Sequence, residues 1–174
     1  MQSIAERAQR IKIAVFDVDG VMTDGALYLS DAGEEIKAYH VLDGHGVKML
    51  KQSGVQLAII TSRTSRGVER RAENLGISHL YQGVENKLVT FNSLLGALQL
   101  DAAQASYMGD DLLDLAVLRR AGLAVTVPDA PAFVKQHVHY VTQARGGQGA
   151  VRECCELIMS QQGTLQALQE SYLD

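Results

Sequence analysis

The sequence predicts an α/β fold, a three-layer, Rossmann-like parallel sheet with helices on both faces. Three observations predict it. Short apolar runs rich in Val and Ile, too short for helices, recur along the chain, and such runs suit strands buried on both faces. Stretches with apolar residues at helical spacing lie between them. Acidic residues cluster directly after the runs, and an open α/β sheet binds its ligands beyond the carboxyl ends of its strands.

In chain order, residues 11–16, 55–60 and 105–108 are expected strands, and residues 123–127 and 140–141 the last two. Helices are expected over residues 46–53, 65–75, 111–121 and 150–160, with Ser65 as an N-cap and Gly76 as a stop. Leu88, Phe91, Leu95 and Leu98 form one inward-facing helical stripe. Strands alternating with helices imply right-handed crossovers. Residues 26–41 break the alternation and read as a β-hairpin around Asp31-Ala32-Gly33-Glu34. Leu27 and Leu29 share a face of its first arm, and Ile36 and Ala38 a face of its second. A lone hairpin is marginal in water, so this one is expected to pack on something, a subunit contact being one candidate.

The 174 residues suffice for one domain with a core and are too few for two ordinary ones. An apolar content of 47% argues against disorder. The net charge of −4, with no basic field, argues against a nucleic-acid partner. No apolar run approaches the roughly 20 residues of a membrane span. The start of the chain carries Glu6, Arg7 and Arg10 and no apolar core, so it does not read as a signal peptide. Cys154 and Cys155 are adjacent in a helical stretch and are expected as buried thiols. His137 and His139 lack partners at zinc-ligand spacing.

The chemistry-bearing residues fall at the ends of the apolar runs. Phe16-Asp17-Val18-Asp19-Gly20-Val21 follows the first, with Thr23, Asp24 and Gly25 behind it. Two carboxylates two residues apart at a strand end can point to one side. Buried together they repel and one holds a proton, a conflict that a divalent cation removes. The pair can then divide labour, one as nucleophile and one as general acid/base. A loop that merely solvates two acids is the alternative for this pair taken alone.

Met108-Gly109-Asp110-Asp111, with Asp114 after it, ends another run. Such a density of carboxylates calls for a hard cation with oxygen ligands, and magnesium, which keeps several waters, fits best. Asp111 and Asp114 also suit the first turn of a helix, which does not explain Asp110. Ile59-Ile60-Thr61-Ser62-Arg63 ends a third run, where a hydroxyl and backbone N–H groups can hold a phosphate oxygen. Lys87 opens a helix whose dipole it opposes, so it needs another reason to be there. Screening a phosphate among carboxylates is one reason, and simple solvation is the alternative.

Taken in order, Asp-x-Asp-Gly-Val, hydrophobic-Thr, Lys and Gly-Asp-Asp-x-x-Asp resemble the pattern of the haloacid dehalogenase superfamily, over about residues 11–159. Within it the chain is most similar to the phosphatases of 3-deoxy-D-manno-octulosonate 8-phosphate. The residues that carry this are Asp17 to Gly25, Asp43-Gly44-His45-Gly46, residues 83–87, Gly109-Asp110-Asp111 and Gly146-Gly147-Gln148-Gly149-Ala150-Val151-Arg152-Glu153. Two positions depart from the pattern. The family usually has Gly where Ser62 stands and often Arg where Gln148 stands.

The resemblance implies a single hydrolase domain over residues 1–174 and a Mg2+-dependent phosphatase of a sugar-acid phosphate. It implies Asp17 as nucleophile and Asp19 as general acid/base. It implies magnesium held by Asp17, the Asp19 main-chain carbonyl and Asp110, with Asp111 acting through water. Thr61 and Lys87 would bind the phosphoryl oxygens. It also implies a homotetramer, cytoplasmic, serving lipopolysaccharide precursor synthesis. The stretches from Asp24 to Thr61 and from Thr61 to Lys87 are too short for a cap domain, so the core is expected to be capless. Arg63 is near enough in sequence to meet a substrate carboxylate, whereas Arg66, Arg70 and Arg71 read as a solvated helix face. The tail, residues 163–174, has Leu165, Leu168 and Leu173 and either reaches a neighbour's site or folds on its own subunit. The alternative substrate is a nine-carbon sugar-acid 9-phosphate. A protein phosphatase and a non-catalytic tetramerisation module are the readings from other classes. The Gly-Gly-x-Gly stretch argues against the first and the complete set of acids against the second. Roles for His45 and Asp114 stay open.

Overall fold

A computed structural model describes residues 2–173. Its main sheet is built from β1 (Ile13–Phe16), β4 (Gln56–Ile60), β5 (His79–Tyr81), β6 (Ala105–Met108), β7 (Leu123–Thr126) and β8 (Tyr140–Val141). A separate two-stranded hairpin pairs β2 (Tyr28–Leu29) with β3 (Glu35–Ile36). The main sheet runs β5-β4-β1-β6-β7-β8 and every pairing is parallel. All residues of β1, β6 and β7 are buried, as expected for central strands covered on both faces.

The helices are α1 (Ile4–Gln9), α2 (Val41–Gln52), α3 (Arg66–Leu75), α4 (Lys87–Leu98), α5 (Leu115–Leu118), α6 (Ala132–Lys135), α7 (Ala150–Gln161) and α8 (Leu165–Glu170). Helices α1 and α2 pack on α7, α2 also meets α3, and α4 packs on α5. The chain leaves β1 towards β4 and β5, then crosses back over the sheet to β6. Right-handed crossovers in opposite directions put α2 and α3 on one face and α4 and α5 on the other. The point where the path reverses is the edge between β1 and β6, the usual crevice for a ligand.

Local chemistry explains most boundaries. Ser65 caps α3 by accepting from the Gly67 N–H at 3.2 Å, and Gly76 ends that helix at φ +68°. Phe91 and Leu95 are buried on α4, with Leu88 and Leu98 half-buried, and Leu94 joins them. Cys154 and Cys155 are buried, unbridged thiols.

Several expectations need correction. Helix α2 begins at Val41, not at residue 46, because Gly44 and Gly46 do not break it. A side chain at Gly44 would collide with the Arg71 guanidinium, and one at Gly46 with Arg152, so these glycines let helices approach closely. Residues 111–121 form a 3-10 turn, Leu112–Asp114, before the short α5. Strand β5 and helix α1 were not expected. The strand is only three half-buried residues, and α1 is held by a reciprocal Ser3–Glu6 capping box on a polar sequence. The hairpin arms pair over two residues each, Tyr28 with Ile36 and Leu29 with Glu35. Leu27, Leu29 and Ile36 are exposed. The tail folds back through α8, with Leu165 and Leu168 packed against the core of the same chain, whereas Leu173 is exposed. Among the described residues no helix is long and apolar enough to cross a membrane.

Candidate active site

Register brings the four sequence signals together. Phe16 of β1 pairs with Ile59 of β4 on one side and Met108 of β6 on the other. The residues that leave these strands, Asp17, Thr61 and Asp110, therefore emerge side by side. They line one cleft of about 200 Å³ together with Asp19, Gly20, Ser62, Arg63, Lys87, Asp111 and Asp114.

Asp17 is 7% exposed. Its Oδ1 accepts from the Val18 N–H at 2.7 Å, and its Oδ2 accepts from Lys87 Nζ at 2.6 Å. Lys87 is the first residue of α4 and is buried. Its position against the helix dipole is explained by a second carboxylate, Asp114 Oδ1, at 2.7 Å. Asp114 is fully buried and makes four bonds. Beside Lys87 it accepts from the Tyr107 hydroxyl at 2.7 Å and, through Oδ2, from the N–H groups of Asp110 and Asp111 at 3.0 and 3.2 Å. It thus ties the Asp110 loop to the lysine. Sequence reasoning left its role open, because nothing in the sequence says that this acid, rather than Asp111, turns inward.

Asp111 is exposed and its Oδ1 caps the 3-10 turn through the Leu112 N–H at 2.7 Å. Asp110 comes up to Gly20, where any side chain would overlap its carboxylate, and Gly20 sits at φ +79°. Thr61 is buried, its N–H donating to the Tyr81 carbonyl at 3.0 Å. Asp19 is half-buried and faces two cations, Lys37 and Arg63.

The loop that follows β1 is braced from behind by the glycine-rich stretch. A side chain at Gly146 would overlap the Gly20 carbonyl, and one at Gly147 would meet Thr23 and Asp24 backbone. The Gly147 N–H donates to the Val21 carbonyl at 3.0 Å. Asp43, buried on α2, accepts from the N–H groups of Gly149 and Arg152 at 3.2 and 2.8 Å and so caps α7.

A model of the haloacid dehalogenase-like hydrolases matches residues 34–127, more than half of the chain. The chain belongs to this family. It is 47% identical to the 3-deoxy-D-manno-octulosonate 8-phosphate phosphatase KdsC of Yersinia pestis, over 94% of this chain and 87% of that one. Among solved structures, the 3-deoxy-D-manno-octulosonate 8-phosphate phosphatase of Moraxella catarrhalis, a complex with magnesium, phosphate and KDO, superposes with a TM-score of 0.96. The two are 43% identical, over 97% of each chain. The cobalt-bound deoxy-D-mannose-octulosonate 8-phosphate phosphatase of Haemophilus influenzae gives 0.92 at 36% identity, covering 97% of this chain and 99% of that one.

The electrostatics of this hydrolase follow from burial. Desolvation, then the neighbouring Asp114, push the Asp17 carboxyl up to about 6. Desolvation, then Asp114 and Asp17, push Asp110 up to about 7. Burial by itself lowers the Lys87 pKa, but Asp17 and Asp114 outweigh it and hold the ammonium above the usual lysine range. Oxygens of Asp17, Asp110 and Asp114 lie within 4.8 Å of one another. Three clustered carboxylates against one lysine leave excess negative charge, offered entirely by oxygen donors. That donor set fits a hard divalent cation.

Two residues outside the expected set belong to the site. Glu35 and Lys37, on the hairpin's second arm, reach Arg63 and Asp19. The signal that could have found them is the alternation Glu35, Lys37, Tyr39 against Ile36, Ala38. Arg63 lines the cleft but is ion-paired with Glu35. Arg71 is not part of a solvated face. It is half-buried, donates to the His40 carbonyl at 3.2 Å and lies 5.3 Å from the Tyr39 ring. His45 stands between Arg152 Nη1 at 3.0 Å and the Tyr172 hydroxyl at 2.9 Å, a tie between α2 and the tail rather than a ligand to the cleft.

Proposed function

We propose that the protein is a magnesium-dependent phosphatase that hydrolyses 3-deoxy-D-manno-octulosonate 8-phosphate to the free sugar acid and phosphate, through an aspartyl-phosphate on Asp17. The observation that carries this reading is the buried Asp17 carboxylate, held by Lys87 2.6 Å away at the end of the central strand. The likeness to the Moraxella catarrhalis enzyme over nearly the whole of both chains supports the substrate.

The chemistry follows from the residues. Asp17 Oδ1 and Oδ2 each accept one bond, which orients the carboxylate for in-line attack on phosphorus. Asp19 gives a proton to the departing sugar oxygen and then takes one from the water that hydrolyses the intermediate. Lys87 spends two of its three N–H groups on Asp17 and Asp114, and the third, without a partner among the described residues, is available to a phosphoryl oxygen. The Thr61 hydroxyl binds another. Fixed positive charge on the equatorial oxygens is the main requirement of phosphoryl transfer. A magnesium ion held by Asp17, the Asp19 main-chain carbonyl and Asp110, with Asp111 reached through water, would supply the rest of that charge. Arg63 takes the substrate carboxylate, for which it must exchange its contact with Glu35.

The chain works as one domain whose exposed hairpin closes a homotetramer and covers the capless site. It acts in the cytoplasm, in lipopolysaccharide precursor synthesis. The test is phosphate release from a panel of eight- and nine-carbon sugar-acid phosphates and hexose phosphates, with and without Mg2+. Specificity constants for hexose phosphates equal to that for 3-deoxy-D-manno-octulosonate 8-phosphate would defeat the reading.

A further inference from the structure

Lys37 lies just past β3, on a hairpin whose Leu27, Leu29 and Ile36 are exposed, yet its side chain is only 4% exposed. Glu35, Lys37 and Tyr39 are half-buried, whereas Ile36 and Ala38 between them are exposed. This is the period of an extended strand, with one face turned inward. The Lys37 ammonium donates to Asp19 Oδ1 and lies 2.7 Å from Glu35 Oε1. Asp19 Oδ2 has no hydrogen-bond partner among the described residues. Its nearest cation, Arg63 Nε, is 3.9 Å away, beyond hydrogen-bond reach. One oxygen of the carboxylate is therefore clamped and the other is free. Burying a lysine costs side-chain entropy and desolvation. Here the two carboxylates offset that cost, and one of them is the acid of the Asp-x-Asp pair.

We propose that Lys37 is a positioning residue for the reaction: from the hairpin it clamps Asp19 Oδ1 and so aims Oδ2 at the leaving-group oxygen. The proposal rests on the reading that Asp19 is the general acid/base. In the first step the bond from Asp17 to phosphorus forms and the bond from phosphorus to the sugar oxygen breaks. The electron pair stays with the sugar oxygen, and the proton on Asp19 Oδ2 moves to it. An Asp19 carboxyl without its clamp samples other rotamers and delivers that proton poorly, while attack by Asp17 is untouched. The hairpin is thereby part of the proton-transfer machinery, because a displaced hairpin takes Lys37 with it.

The test compares leaving groups. First-turnover release is measured with Mg2+ on 3-deoxy-D-manno-octulosonate 8-phosphate, whose alkoxide needs a proton, and on p-nitrophenyl phosphate, whose phenolate does not. In Lys37→Met the first rate falls about 10²-fold while the second stays within about threefold. Lys37→Arg recovers most of the loss. Lys37→Gln, a shorter uncharged donor, shows an intermediate loss with the same selectivity and serves if the methionine variant does not fold. Equal losses on both substrates, or no loss on either, overturn the proposal. Asp19→Ala is run beside them. Leaving-group selectivity in Asp19→Ala but in none of the Lys37 variants sinks the proposal alone. Its absence from Asp19→Ala sinks the acid/base assignment and the proposal with it.

Discussion

The ammonium of Lys87 is shared between two carboxylates, Asp17 at 2.6 Å and Asp114 at 2.7 Å, with all three side chains buried or nearly so. One lysine thus holds both Asp17 and the acid that anchors the Asp110 loop. Asp17→Asn should abolish phosphate release, since an amide is no nucleophile. The fold should survive, because Lys87 keeps Asp114 and a repulsive charge is removed. Phosphate release by the pure variant at more than a trace rate would rule out the covalent role.

Lys87→Ala should do two things at once. Phosphoryl transfer should fall roughly 10²- to 10³-fold through loss of a fixed positive group. Stability should also fall, by about 3 kcal/mol, because Asp17 and Asp114 lose the partner that balances their burial. Steady-state rates and urea melts of the same preparation read both. A surface lysine would leave both unchanged.

Stability of the metal-free protein should decrease as pH rises. In the folded chain Asp17 keeps its proton up to about 6 and Asp110 up to about 7. Unfolded aspartates lose theirs at about 4. Between those values the folded state binds more protons than the unfolded one, so its stability drops through the window. The contribution is complete below the unfolded value and is lost as pH passes the folded ones. Added Mg2+ should reverse the trend by binding the ionised carboxylates. Melting temperatures at pH 5 and pH 8, in chelator and in Mg2+, check this; an unchanged chelator melt across that range would refute it.

Gly20→Ala should weaken magnesium binding without replacing any of the proposed ligands. The new methyl would overlap the Asp110 carboxylate, at a backbone φ of +79° that disfavours a side chain. Activity should then need about tenfold more Mg2+, with partial recovery at saturation. Mg2+ titrations of activity and of calorimetric binding give the answer; identical curves for variant and parent would show that the contact yields freely.

Assembly should depend on the hairpin. Leu29 is 67% and Ile36 59% exposed, on a two-stranded ribbon too short to stand alone. Leu29→Asp with Ile36→Asp should convert a tetramer to monomers in light scattering. A fully active parent protein that is already a monomer would refute the proposed assembly.

Five of the six strands of the main sheet and most of its helices were legible in the sequence, because strand and helix declare themselves by local period. Residues 105–108 and 140–141, and the Ser65 cap and Gly76 stop, needed no partner to be read. What misled was local composition without tertiary context. The expected helix began at residue 46, but α2 runs from Val41 through Gly44 and Gly46, which admit Arg71 and Arg152. The acids of the cleft were legible for a related reason. Asp17 directly follows β1 and Asp110 follows β6 after one glycine, and in a parallel sheet every carboxyl end opens on the same edge.

By itself the sequence determined the class of fold, the strand ends and the kinds of group that meet there, since these depend on spacing along one strand or helix. Only the tertiary structure decided which acid turns inward to hold Lys87, and that Lys37 and Glu35 close on Asp19 and Arg63. Those pairings join residues from separate elements, such as Lys87 on α4 and Asp17 after β1. Their contacts are set by the burial of the whole core and the path of the hairpin, neither of which leaves a period in the local sequence.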